Sequence, residues 1–169
     1  MSKHAHRALV LTAISAFAMP ALADDCASAA KSALVNSGRT PVSVTIIKTD
    51  AQGKKSTTRT IQTVTNKYVQ TASGKWYSMN IAIKDLIDDT KTTQVTCHRR
   101  GADTVNGDPV ATYEIQVADG DVMNDSKIWV SSKNLITKSE GSMAGARYSS
   151  GYDYANVTPP TEATPMGGH

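Results

Sequence analysis

The sequence predicts an α+β domain that is mainly β, with one helix at its start. After residue 23 the chain holds 12 Val, 9 Ile and 19 Thr, but only 3 Leu and no Phe, and β-branched side chains favour strands over helices. Apolar and polar residues alternate in several short segments that are separated by turn residues. One early segment has helical spacing instead.

Residues 1–23 have the three zones of a secretory signal peptide. Lys3 and Arg7 give a positive start, an apolar stretch follows over 8–19, and Ala21-Leu22-Ala23 is a small-x-small cleavage site. The stretch is shorter than the ~20 residues that a membrane-spanning helix needs. We therefore expect a cleaved signal peptide, no membrane span, and a periplasmic protein that begins at Asp24.

The charge balance disfavours a strongly electrostatic partner. The whole chain carries a formal charge of +3. Lys3 and Arg7 belong to the expected signal peptide, so the remainder has 16 basic and 15 acidic side chains. A nearly neutral domain disfavours nucleic acid as a partner.

The two cysteines, Cys26 and Cys97, predict one disulfide. An even number of cysteines in an exported protein favours a bond between them. The alternative is two free thiols or a redox-active pair, although the chain has no Cys-x-x-Cys motif. A disulfide would join the start of the helix to a strand 71 residues further along.

The helix is expected to follow Asp24-Asp25, because acidic residues cap the positive end of a helix. Its apolar face contains Ala30 and Ala33, and Asn36-Ser37-Gly38 is a plausible end. A helical insert is expected near 82–90 from the spacing of its apolar residues. Strands are expected over 42–46, within 55–71 (as one bent strand or two), and over 76–81, 93–101, 109–119, 126–132, 134–140 and 145–155.

Turns and the end of the chain complete this organisation. Asn106-Gly107-Asp108 and Asp119-Gly120-Asp121 mark hairpins. Residues 24–156 are expected to form a single domain. A disordered Pro- and Thr-rich tail is expected over 157–169.

Period-two alternation sorts the strand residues into two faces. Within each strand, the alternating apolar residues lie on one side of the sheet. Cys97 has the same parity as Val95, so both lie on the same side of their strand. A disulfide from Cys97 would therefore lay the helix across the apolar face of the sheet. Trp76 and Trp129 have the opposite parity, so they are candidate contacts for a partner unless a bulge turns them inward.

Three segments are similar to periplasmic proteins of the LolA/LolB lipoprotein-carrier superfamily. They are the strand entry Gly74-Lys75-Trp76-Tyr77, the strand with its preceding turn over 106–113, and the hairpin formed by Lys127-Ile128-Trp129-Val130-Ser131 and 135–138. This resemblance implies a strongly curved antiparallel sheet, an open half-barrel. The N-terminal helix and the short helical insert would cover its concave face.

We therefore expect a non-catalytic binding protein. Its ligand would be lipid-like or a lipoprotein acyl chain, held in an apolar cavity between the sheet and the helices. The alternatives are that the same side chains fill this space, or that the protein is a cell-envelope protein–protein interaction module without a pocket. The expected ligand-binding residues are Tyr77, Met79, Ile81, Tyr113, Ile115, Val117, Ile128 and Val130.

The sequence provides no set of residues for catalysis, and no cofactor or metal is expected. His98 lies beside Arg99 and Arg100, as in a solvated cationic edge, and no Gly-x-Ser-x-Gly motif occurs. The acidic residues of 119–125 lack the ordered ligands of an EF-hand. We therefore expect a protein that is not an enzyme.

Overall fold

The computed structural model describes residues 23–81, 94–119 and 122–166. Within these ranges, helix α1 spans Ala23–Arg39 and is followed by ten strands. The expected signal peptide and the expected helical insert near 82–90 lie outside the described residues, apart from Ala23. The strands are β1 (Val42–Thr49), β2 (Lys55–Gln62), β3 (Asn66–Gln70), β4 (Trp76–Asn80), β5 (Gln94–Val105), β6 (Asp108–Asp119), β7 (Val122–Ser131), β8 (Ile136–Met143), β9 (Ala146–Asp153) and β10 (Thr164–Pro165).

The strands form one open sheet in the order β10-β4-β3-β2-β1-β9-β8-β7-β6-β5. All neighbouring pairs are antiparallel except β10 and β4, which are parallel. The sheet does not close, because β10 and β5 remain at its two edges. This confirms the predicted fold class, which is mainly β with an N-terminal helix and an open antiparallel sheet.

The turns explain where the strands end. Asn106 and Gly107 have φ values of 53° and 88°, and positive φ at both central residues is typical of the type I′ turn that joins two-residue hairpins. In the segment 55–71, the N–H of Thr63 donates to the carbonyl of Asn66 at 2.8 Å. This turn divides the segment into β2 and β3. At the predicted turn 119–121, Asp119 pairs with Val122, and residues 120–121 are outside the described ranges.

The end of the described chain returns to the sheet. Thr164 and Pro165 pair with Tyr77 and Ser78 of β4, and the N–H of Met166 donates to the carbonyl of Ser78 at 2.7 Å. This differs from the disordered tail expected over 157–169. The free backbone groups of an edge strand account for the difference, since they can accept an additional strand.

Helix α1 packs one side against the sheet. Cys26, Ala30, Ala33 and Ser37 are buried, and their spacing of three to four residues places them on a single helical face. The backbone N–H and the hydroxyl of Thr40 both bond the carbonyl of Asn36 where the helix ends. Small side chains on this face allow the helix to approach the strands closely.

Candidate functional site

The two faces of the sheet differ in what covers them. We call the face that carries Tyr113 and Ile128 the α1 face, because these residues belong to the core formed with the helix. Glu114 and Trp129 are their chain neighbours and therefore lie on the opposite face. The core of the α1 face consists of Cys26, Ala30, Ala33, Cys97, Tyr113, Ile115, Ile128, Val130 and Ile136.

Covalent and polar contacts hold α1 on this face. Cys26 and Cys97 form the predicted disulfide, with 5.7 Å between their Cα atoms. At the other end of the helix, the hydroxyl of Ser37 accepts a 2.9 Å hydrogen bond from the N–H of Ile136. The side-chain amide of Gln62 donates to the carbonyl of Gly38. The helix is thus fixed to β5 and β8 and also reaches β2.

The expected ligand-binding residues fall into two groups. Tyr113, Ile115, Ile128 and Val130 are buried in the core under α1, so their side chains fill that part of the α1 face. Tyr77, Met79 and Ile81, on β4 and just after it, are half-buried instead. The side chain of Val117 is outside the described part of the structure.

An apolar row leads across the α1 face from the core towards β4. Tyr152 packs against the core and pairs with Val44, which pairs with Thr60. Thr60 then pairs with Val69, and Val69 with Tyr77. We call Tyr152, Val44, Thr60, Val69 and Tyr77 the apolar row. All five side chains are half-buried. Four of them are aromatic or aliphatic and Thr60 adds a methyl group beside its hydroxyl, so apolar surface continues beyond the filled core.

Met79 adds apolar surface beside this row. It pairs with Lys67 on β3 and shares the parity of Tyr77. A Met side chain is flexible and polarizable, so it adapts to ligands of irregular shape. Tyr77, Met79 and Ile81 are therefore the predicted site residues that remain accessible at the β4 end of the α1 face.

A cavity of about 1030 Å³ lies on the opposite face of the sheet. One row of its lining consists of paired residues: Glu114, Lys127, Glu140, Ser149 and Ile47. The cavity is bordered by β2 at one side and by β5 at the other, although five strands separate them in the sheet. The lining residues thus come from seven neighbouring strands of the sheet.

Two of the acidic groups at this cavity have cationic partners. Arg100 forms an ion pair with Glu114, and its hydrogen bond is the main reason why the pKa of Glu114 lies below its usual value. Lys138 contacts Glu140 at 2.7 Å. These pairs lower the net negative charge that Glu114 and Glu140 present to a ligand.

The two tryptophans occupy different environments. Trp129 is only 4% exposed, because the ammonium groups of Lys127 and Lys138 lie 4.7 and 4.4 Å from the centroid of its ring. Its indole N–H donates to Asp103. Trp129 thus presents little surface to a partner, whereas Trp76 on β4 is half-buried. The pairing of β7 with β8 shifts register between Trp129 and Val130, but Trp129 stays on the face opposite α1, where it pairs with Thr112 of β6.

His98 and Asp125 both line the cavity on the opposite face and are exposed. Within the described ranges, His, Cys, Asp and Glu side chains form no group of three that could hold a metal ion. No helix among the described residues is long and apolar enough to cross a membrane.

Sequence reasoning missed a row of hydrogen-bond donors at one end of the cavity. Ser142 pairs with Arg147, Arg147 with Thr49, and Thr49 with Lys55. We call Ser142, Arg147, Thr49 and Lys55 the donor row. These residues come from four strands, and only the pairing order of the sheet brings them together. The only sequence signal for the donor row is the alternation of polar residues within each of these strands.

No family model and no curated protein matches the chain. Among solved structures, the lipoprotein LppX of Mycobacterium tuberculosis matches with a TM-score of 0.48 and 9% identity over 78% of this chain and 96% of LppX. LprF of Mycobacterium bovis matches with a TM-score of 0.46 and 13% identity over 81% and 97% of the two chains.

A LolA superfamily protein of Nitrosomonas europaea also matches, with a TM-score of 0.38 and 11% identity over 78% of this chain and 91% of that one.

Proposed function

We propose that this chain is an exported, non-catalytic binding protein for a lipid-like ligand or a lipoprotein acyl chain. The observation that carries the proposal is the apolar row, which continues from the core under α1 to Tyr77 at the β4 end of the sheet. An acyl chain lies along this row and extends the hydrophobic core.

The burial pattern supports this position. Residues under α1 are buried, so that part of the face has no room for a ligand, whereas the five residues of the apolar row are half-buried. Each methylene group that leaves water contributes about 0.8 kcal/mol. An acyl chain that covers the row therefore gains affinity in proportion to its length.

Export is supported by two independent features. The disulfide between Cys26 and Cys97 is a bond that persists in oxidising compartments, and residues 1–23 have the pattern of a signal peptide. Together they favour the periplasm as the place of function.

The test uses a fluorescent fatty acid whose emission rises in an apolar environment. We expect saturable binding to the full mature chain and a loss of affinity of about tenfold or more for Tyr77→Ala, because this change removes much of the accessible apolar surface. Trp76→Ala is the matched control. It removes another half-buried aromatic residue from the same strand, but on the opposite face.

The outcomes separate the alternatives clearly. Circular dichroism first verifies that both variants remain folded. If the fatty acid does not bind at all, or if Tyr77→Ala and Trp76→Ala weaken it equally, the apolar row is not an acyl site. Native mass spectrometry of protein purified from periplasm then shows whether a lipid is carried.

A further inference from the structure

We propose that the donor row on the face opposite α1 is a binding site for the phosphate group of a polar phosphate ester. Its four residues all donate hydrogen bonds and include two cations, Arg147 and Lys55. This site is separate from the apolar row, so it does not depend on the proposed acyl ligand.

The register of three strand pairs carries this inference. Arg147 and Lys55 flank Thr49 on neighbouring strands. Their backbones are therefore two strand spacings apart, about 9–10 Å. Both side chains are long enough to converge on a group above Thr49, and all three residues line the same cavity.

The chemistry of the row suits a phosphate. A guanidinium binds two phosphate oxygens at once, an ammonium acts as a point charge, and the hydroxyls of Thr49 and Ser142 supply further donors. The row contains no carboxylate. Arg147, Lys55 and Ser142 are exposed, so they are available to a ligand in the cavity.

The surrounding charges favour an anion at this end. Lys127 lines the same cavity, while Glu140, the acidic residue one row away on β8, is paired with Lys138 at 2.7 Å. Glu114 is paired with Arg100. Asp125 is the remaining acidic residue of the lining, and it lies on β7 beyond the Ser142 end of the row.

The size of the cavity indicates more than an inorganic ion. About 1030 Å³ is at the upper end of the range for sites that hold small organic molecules. Away from the donor row, the lining combines polar side chains such as Glu114, Gln116 and Ser149 with the apolar side chain of Ile47. The ligand class is therefore a phosphorylated polar molecule, either a soluble phosphate ester or the headgroup of a phospholipid.

Isothermal titration calorimetry with glycerol phosphate tests the site, at constant ionic strength because exposed charges are screened by salt. We expect saturable binding that Arg147→Gln weakens about tenfold or more, since a charge-assisted bidentate contact is lost. Arg147→Lys retains part of the affinity, and Lys55→Gln also weakens binding. Lys75→Gln, in the turn before β4, is the control and leaves the affinity unchanged.

Vesicles distinguish the two sources of the phosphate. Co-sedimentation with phosphatidylglycerol vesicles that is lost in Arg147→Gln but retained in Lys75→Gln identifies a headgroup, whereas binding of glycerol phosphate alone identifies a soluble ester. The proposal is overturned if neither probe binds, or if Arg147→Gln behaves like Lys75→Gln. Tyr77→Ala leaves phosphate binding unchanged, so failure here and failure of the acyl site are independent results.

Discussion

The indole N–H of Trp129 donates a 2.9 Å hydrogen bond to the Oδ2 atom of Asp103. The two residues lie on β7 and β5, and β6 separates these strands. The bond therefore spans two strand spacings on the face opposite α1. Together with Lys127 and Lys138 it buries an aromatic ring that alternation alone places on the solvent side of the sheet.

This contact predicts acid sensitivity. The N–H groups of Trp129 and Thr104 donate to the Asp103 carboxylate and hold its pKa below the ordinary value of 3.8. A lowered pKa in the folded state stabilises the protein above the ordinary pKa, and this contribution is lost as the pH falls through the lower folded-state value. Asp103→Asn should therefore lower the urea midpoint at pH 7, and its difference from the wild type should vanish in strong acid.

Urea unfolding followed by tryptophan fluorescence between pH 2 and pH 7 measures this effect. Asp108→Asn, on the same hairpin, controls for the removal of a surface carboxylate. A constant difference between the wild type and Asp103→Asn across this pH range would contradict the assignment.

The disulfide should make a large contribution to stability. In the chain-entropy model, a bond that closes a loop of 71 residues stabilises the folded state by about 4 kcal/mol. Reduction of this bond should therefore lower the melting temperature by roughly 10 °C. Differential scanning calorimetry with and without reductant measures the change. The double variant Cys26→Ala, Cys97→Ala should melt at the lower temperature and be insensitive to reductant; equal melting of the oxidised and reduced wild type would be inconsistent with the bond.

Two glycines on neighbouring strands should respond differently to alanine. A Cβ atom at Gly141 would lie 3.0 Å from the carbonyl oxygen of Asp125 and from the hydroxyl of Ser126, whereas nothing lies within 4 Å of one at Gly151. Overpacking at Gly141 should cost about 1 kcal/mol. Gly151→Ala should be neutral or slightly stabilising, because alanine restricts the unfolded chain. Chemical denaturation of both variants provides the comparison, and equal effects would show that β7 and β8 pack less closely than described.

Tyr154 predicts a second pH effect, in alkali. Burial raises the pKa of Tyr154 to about 12, and its hydroxyl donates to the carbonyl of Ile136 at 2.8 Å. A raised pKa stabilises the folded state below the ordinary value of 10, and this contribution is lost as the pH rises from about 10 to about 12. Tyr154→Phe should therefore lose less stability than the wild type over this range. Chemical denaturation between pH 9 and pH 12 measures this difference. An equal loss of stability in the wild type and in Tyr154→Phe would contradict the burial of the hydroxyl.

Local patterns were sufficient to predict much of the fold. The alternation of Val42 and Val44 defined β1, Asn106-Gly107 defined a hairpin, and the two cysteines defined the disulfide. Each of these signals depends on residues that are close in the sequence or, for the disulfide, on the fact that the chain has only two cysteines. The α1 face could be recognised for the same reason, since the parity of Cys97 assigned the helix to it.

The positions of the sites depend on the order and curvature of the sheet, which local patterns do not determine. Parity placed Tyr113 and Tyr77 each on the apolar side of its own strand. It does not show that α1 covers Tyr113 and stops short of Tyr77. The donor row required the pairing of β1 with both β2 and β9. Trp129 was assigned to the correct face, yet its burial depends on Asp103 and two lysines that come from three strands.

The position of a bound acyl chain is tested most directly by photo-crosslinking. A photoactivatable fatty acid is bound to the mature protein, and its adducts are located by mass spectrometry of tryptic peptides. We predict adducts in peptides 68–75 and 76–84, which carry Val69, Tyr77 and Met79. Adducts confined to side chains of the face opposite α1, such as Trp76, or the absence of saturable labelling, would contradict an acyl site on the apolar row.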